Sequence, residues 1–196
     1  MRTVAAIVAT VALVALPSPL AAHEGGAAAG LLSGLLHPIS GLDHVLAMVA
    51  VGIWGAQLGQ PAIWVLPVTF PMVMAFGGML GLLGLQVPGV EVAIGLSALL
   101  LGLMVALEQK PDLRVAAAIV GFFAMFHGHA HGAELPEGQS GILYSIGFVV
   151  STGTLHASGI GVGLIHRWDW GKRALRSGGA GIAAGGAWFT WLAVSG

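Results

Sequence analysis

Apolar residues fill this chain in long unbroken blocks, with neither the two-residue alternation of a half-buried strand nor the narrow stripe of a surface helix. Six blocks are long enough to cross a bilayer: Ala29–Gly55, Ala62–Leu83, Val90–Leu107, Leu113–Gly132, Gly141–Ile165 and Leu175–Val194. Each has roughly 18 to 27 residues, and a rise of about 1.5 Å per residue carries that length through a hydrocarbon core ~30 Å thick. In lipid only helices and closed barrels satisfy their own backbone, and continuous apolar runs select helices. Turn and charge signals separate the blocks at Gln57 to Pro61, Pro88-Gly89, Glu108 to Asp112, Pro136 to Gly138 and Arg167 to Arg176. The pattern predicts an all-α polytopic membrane protein, a six-helix transmembrane bundle occupying residues 23–196.

A distinct segment precedes the bundle. Met1-Arg2 is positive, Thr3 to Leu16 is apolar, Pro17-Ser18-Pro19 breaks the run, and Leu20-Ala21-Ala22 leads to the polar His23-Glu24. At about 14 residues the run is short for a span, and the order of its parts is that of a cleavable signal peptide over residues 1–22.

Composition narrows the class. Of 196 residues 57% are apolar and 8% charged, with a formal net charge of −1. Soluble domains run at roughly 45–50% apolar and about 25% charged, so this chain cannot cover itself with a water-compatible surface. Seven Lys and Arg residues cannot make the basic face that binds nucleic acid. The absence of cysteine removes thiolate metal sites, Cys nucleophiles and dithiol redox chemistry. Beyond the leader, Lys110 and Arg114 flank the third-to-fourth connection, and Arg167, Lys172, Arg173 and Arg176 fill the fifth-to-sixth. Lys/Arg excess marks the cytoplasmic face, which leaves both mature termini extracytoplasmic. Signal cleavage puts the N-terminus on that same side.

Among the 32 glycines, the pairs Gly30/Gly34, Gly77/Gly81, Gly159/Gly163 and Gly181/Gly185 have the spacing that lets helix backbones approach closely. Pro67 and Pro71 are expected to kink the second span. A three-plus-three inverted repeat is disfavoured, because the polar clusters open the first span and close the fourth, which are not equivalent positions.

Ionisable groups at membrane depth are costly, and a functional site is their default reading. The first span carries His37-Pro38-Ile39-Ser40-Gly41-Leu42-Asp43-His44. On an unbroken helix His37 and His44 share a face about 10 Å apart, as two successive stations. A break at Pro38 or Gly41 would instead let both reach one ion. The fourth span ends in Phe126-His127-Gly128-His129-Ala130-His131-Gly132-Ala133-Glu134. There His127, His131 and Glu134 fall within about 60° of one another, and His at i and i+4 can bind one cation from a helix. His129 points the other way, as a further ligand or a packing residue. The predicted topology brings both clusters to the outer half of the membrane. Imidazoles with carboxylates suit a divalent transition metal such as Ni, Co, Zn or Cu rather than Ca or Mg. Met48, Met72, Met74, Met104 and Met125 keep a softer copper site open.

These residues resemble the HupE/UreJ family. His37 with Asp43-His44 matches its H-x5-D-H pattern, and Phe126 through Glu134 matches F-H-G-x-A/V-H-G-x-E. The resemblance covers the whole chain. It implies a bacterial inner-membrane permease for nickel or cobalt serving hydrogenase and urease maturation, and it carries over His37, Asp43, His44, His127, His131 and Glu134 as metal-pathway residues. His129 stands at the family's free position.

Further polar residues can extend the path. Glu91 opens the third span, either attracting cations or answering the helix dipole. His156 lies about 25 Å along the fifth span, as a deep station or an interhelical hydrogen bond. His23 becomes the second candidate chelator beside a new terminal amine, or stays a polar terminus. The expectation is a secondary permease that takes Ni²⁺, with Co²⁺ next and Zn²⁺ or Cu²⁺ as further options, and hands it past His44 toward His156. The ion is cargo, and no resident cofactor is expected. Protonated imidazoles release metal, so uptake should fall below a pH of about 6. The implied partners are the lipid bilayer, the ion and cytoplasmic metallochaperones. The chain is not expected to be an enzyme. The alternative is an intramembrane metal-dependent hydrolase built on the same His/Glu cluster. A rhomboid-like serine protease would need a histidine in the sixth span, which has none, and a retinal protein would need a lysine within the bundle.

Overall fold

A computed structural model describes residues 27–135 and 138–196. The predicted leader over residues 1–22, His23 and the Pro136-Glu137 turn lie outside them. The described residues are helical throughout, without a strand: α1 (Ala27–Ser40), α2 (Leu42–Leu58), α3 (Ala62–Leu82), α4 (Val90–Ala106), α5 (Leu113–Ala133), α6 (Gly141–Gly163), a 3₁₀ turn over Leu164–Arg167, and α7 (Asp169–Ser195).

Three of these are long and apolar enough to cross a membrane: Ala62–Leu82, Leu113–Ala133 and α6 with its 3₁₀ extension, Gly141–Arg167. A fourth candidate is the pair α1 and α2, bent by 81°. The first predicted span is therefore two helices rather than one. The predicted third span is a shorter apolar helix of 17 residues, and the helix that carries the predicted sixth, α7, begins earlier, on Asp169.

Glycines set the pairing. A Cβ on Gly128 or Gly132 of α5 would strike the Met74 or Gly78 carbonyl of α3, so these helices touch backbone to backbone and run parallel. Gly34 lies against Tyr144, and Gly52 against His156 and Gly159, which lays α1 and α2 along α6, again parallel. Gly95 meets Thr190, and Gly102 meets Gly179 and Ala183, so α4 and α7 run antiparallel. The expected pairs Gly30/Gly34, Gly77/Gly81 and Gly159/Gly163 all make such contacts, whereas Gly181/Gly185 does not. Nothing approaches Gly181, Gly185 faces only the Leu46 side chain, and α7 turns Gly179 and Gly186 toward α4 instead. Trp54, Leu66, Phe70, Leu101 and Val120 fill the shared core.

α1 and α2 both rest on α6, and a short stretch of chain around the 81° bend carries the first ionisable cluster. That stretch is His37 to His44.

Candidate metal centre

The break is built locally. Pro38 lacks the N–H that would bond the Gly34 carbonyl, α1 ends at Ser40, and Gly41 is extended at φ −98° and ψ 114°. The Ser40 hydroxyl donates to the His37 carbonyl at 2.6 Å and closes the helix end. His37 and His44 fall in separate groups of convergent donor atoms, but the break brings both rings to the same side chain. Their centroids lie 4.7 Å and 4.5 Å from that of His131 on α5.

Asp43 sits in the first turn of α2, where the positive end of the helix dipole favours a carboxylate. Its Oδ1 accepts from the His44 backbone N–H and ring Nδ1, each at 2.9 Å. A Cβ on Gly41 would stand 2.9 Å from that oxygen and 3.0 Å from that nitrogen, so glycine leaves room for the pair.

The α5 stripe faces this corner. The His127 ring is 4.8 Å from the His44 ring, and its Nε2 is 2.9 Å from Ser97 Oγ on α4. Ser97 donates its one proton to the Ile94 carbonyl at 2.6 Å, so it can only accept from His127. That fixes the His127 proton on Nε2 and the lone pair on Nδ1. By the same reasoning Asp43 holds the His44 proton on Nδ1 and leaves Nε2 bare. Nδ1 of His127, Nε2 of His44 and both ring nitrogens of His131 are buried without a hydrogen-bond partner.

His44, His127 and His131 offer ligand atoms within 4.8 Å of one another. Imidazoles on one ion, with metal–nitrogen bonds of about 2.0–2.1 Å, stand at most about 4.2 Å apart, so small ring rotations complete the set. A second group joins at the mouth: His37, His131 and Glu134 also lie within 4.8 Å, with His37 Nε2 3.1 Å from Glu134 Oε2. The two groups share His131. A neutral imidazole has one lone pair, so His131 can serve one ion at a time.

Exposure falls steadily along this series. The Glu134 side chain is 54% exposed, His37 26%, His44 13%, and His131 and His127 are buried. Asp43 stands behind His44 as its orienting carboxylate, an arrangement that sharpens many metal-bound histidines. Phe148 of α6 packs 4.3 Å from His131, and Tyr144 packs 5.8 Å from His37.

The remaining candidates lie apart. His129 bonds the Leu85 carbonyl at 2.6 Å and belongs to neither group. Glu91 is exposed in the first turn of α4. His156 is buried on α6, its ring 5.2 Å from Phe70, whose ring is also 5.3 Å from His127. Ser97, Phe70, Tyr144 and Phe148 escape the sequence reading. Ser97 carries the one available signal, a lone hydroxyl in the interior of an otherwise apolar span.

Comparison with known proteins bears out the family resemblance. Residues 11–189 match the family described as HupE / UreJ protein. The chain is 48% identical over 181 residues to "Protein HupE" of Rhizobium leguminosarum bv. viciae, covering 92% of this chain and 95% of that protein. No solved structure matches. On the extent of both matches, the chain belongs to the HupE/UreJ family.

Proposed function

We propose that this protein is a secondary permease that imports a divalent transition metal, Ni²⁺ first and Co²⁺ next, across a bacterial inner membrane for metalloenzyme maturation. The observation that carries the reading is the meeting of unpartnered, buried imidazole nitrogens from α2 and α5, backed by Asp43 and opened to the surface through His37 and Glu134. A buried polar atom left unsatisfied costs roughly 1–3 kcal/mol, so a converging set of them is stable only with something to bind. The two carboxylates offset the two charges of the ion. Glu134 and His37 capture it, His131 turns it inward, and His44 with His127 receive it. The membrane potential, worth about 2.3 kcal/mol per charge per 100 mV, acts on a divalent ion twice over.

Six spans accommodate this path. The parallel and antiparallel pairings agree with strict alternation of direction from the α1–α2 pair through α7. Exposed Trp168 and Trp170 near one end of α7, and Trp188 and Trp191 near the other, have the placement of interfacial aromatic belts. The exposed basic residues Lys110, Arg114, Arg167, Lys172, Arg173 and Arg176 gather at the end opposite Glu134, which supports extracytoplasmic termini. The 48% identical relative bears a HupE name, in keeping with a role beside the hydrogenase and urease maturation factors.

The test is Ni²⁺ accumulation in proteoliposomes. His131→Ala should abolish uptake while the protein still inserts, because both ligand groups lose their shared member. Uptake equal to that of the unaltered protein, or hydrolysis of a lipid or peptide lost in its place, would overturn the permease.

A further inference from the structure

We propose that Phe70 is the inner gate of the permease, an aromatic plug that closes the outer triad of His44, His127 and His131 on its inward side and swings away for each ion. The inference rests on the permease reading and deepens it.

The triad is open on one side only. Toward Glu134 the approach is polar and increasingly exposed. In the other direction the next helical turns are apolar and sealed. Met48 beyond His44 on α2, Leu101 beyond Ser97 on α4 and Ala124 beyond His127 on α5 are all 0% exposed. α3 adds Phe70 to this layer, also 0% exposed. Gly128 of α5 meets the Met74 carbonyl, and Phe70 precedes Met74 by one turn, toward the basic end of the bundle.

The Phe70 ring touches a buried imidazole on each side. Its centroid lies 5.3 Å from that of His127 and 5.2 Å from that of His156 on α6, edge-on in both cases. An ion leaving His127 for His156 meets this ring, which offers it no lone pair. A close-packed apolar layer does not pass a divalent cation until it opens, and such constrictions are a known means of gating.

Two features let the plug move. Phe70 lies between Pro67 and Pro71, and neither proline carries an N–H. α3 therefore lacks the backbone hydrogen bonds that residues 67 and 71 would otherwise donate to Ile63 and Pro67, and it is least braced over the turn that bears the ring. Phe70 also stands at a boundary. Glycine contacts between backbones join α3 to α5, and join α6 to α1 and α2, whereas Phe70 meets His156 across those two units through side chains. Opening there takes rotation of a ring rather than the parting of packed backbones.

The experiment compares Phe70→Leu, Phe70→Ala and Phe70→Trp. Ni²⁺ uptake is measured in proteoliposomes, and Ni²⁺ affinity by titration of the full chain in lipid nanodiscs. Affinity should stay within twofold of the unaltered protein in all three. Uptake should rise severalfold in Phe70→Leu, rise further in Phe70→Ala, and fall in Phe70→Trp. A residue that only fills space would lower uptake when truncated and would not speed it. Uptake at or below the unaltered rate in both Phe70→Leu and Phe70→Ala, with affinity kept, overturns the gate and leaves the outer triad standing. Affinity lost in both variants makes Phe70 a support of the triad and overturns the gate as well. No uptake by the unaltered protein overturns the permease, and the gate with it.

Discussion

Two helical regions contain proline and respond in opposite ways. α3 carries Pro67 and Pro71 and runs unbroken over Ala62–Leu82, whereas Pro38 is followed within three residues by the end of α1 and an 81° bend. Proline alone, then, does not break a helix in this bundle. What differs is the company it keeps. α3 is held along α5 by the backbone contacts of Gly77, Gly78 and Gly81, and it stays one helix across both prolines. The α1–α2 junction has Ser40 to cap the His37 carbonyl and Gly41 to extend, so the chain turns there. One region absorbs its prolines within a continuous helix, and the other follows its proline with a change of direction that delivers two histidines to a third.

If Gly41 makes that difference, replacing it has the largest consequence. Gly41→Val pushes a side chain into the Asp43–His44 pair, and displacing a carboxylate behind a metal-bound histidine typically costs 10–100-fold in affinity. Ni²⁺ titration of the purified variant should show a loss of roughly that size, with membrane insertion unchanged. A loss under twofold would return responsibility for the site to Pro38.

Ser97→Ala sharpens the contrast from the unbroken side. It leaves the bend intact and frees the His127 tautomer, so Ni²⁺ affinity should drop about tenfold, at the lower end of outer-shell effects. Ser97→Thr, which keeps the hydroxyl, should recover it. Nitrogen NMR of the imidazole should show His127 losing its fixed Nε2 proton in the alanine variant alone, a signature that loosened packing would not give.

The smallest effect is expected in α3. Pro71→Ala restores an N–H opposite the Pro67 carbonyl, and one recovered hydrogen bond should add about 0.5–1.5 kcal/mol to stability. Thermal unfolding should shift upward while Ni²⁺ affinity at the outer triad stays unchanged. A fall in outer affinity would mean that the α3 prolines shape that site too.

The same contrast explains which features can be read along the chain. The His127, His131 and Glu134 stripe is visible because helical period alone puts those residues on one face, and α5 keeps that period through Ala133. Pro38 and Gly41 mark a possible break, but the 81° bend and its aim toward His131 come from α6 holding both halves. The tautomer-setting Ser97 belongs to another helix, and only the fold brings it to His127. Glycine spacing identifies Gly77/Gly81 as a contact, yet misjudges Gly181/Gly185, because Gly95 and Gly102 on α4 choose which face of α7 they meet. Local period belongs to the sequence, and the choice of face belongs to the partner.

The central claim is that imidazoles from α2 and α5 bind one ion together, and X-ray absorption of the Ni²⁺-loaded protein tests it most directly. The account predicts a nitrogen-containing shell with the multiple-scattering signature of about three imidazoles, matching His44, His127 and His131, and a loss of one imidazole in either His44→Ala or His127→Ala. A shell of oxygen atoms alone, unchanged by both substitutions, would contradict it.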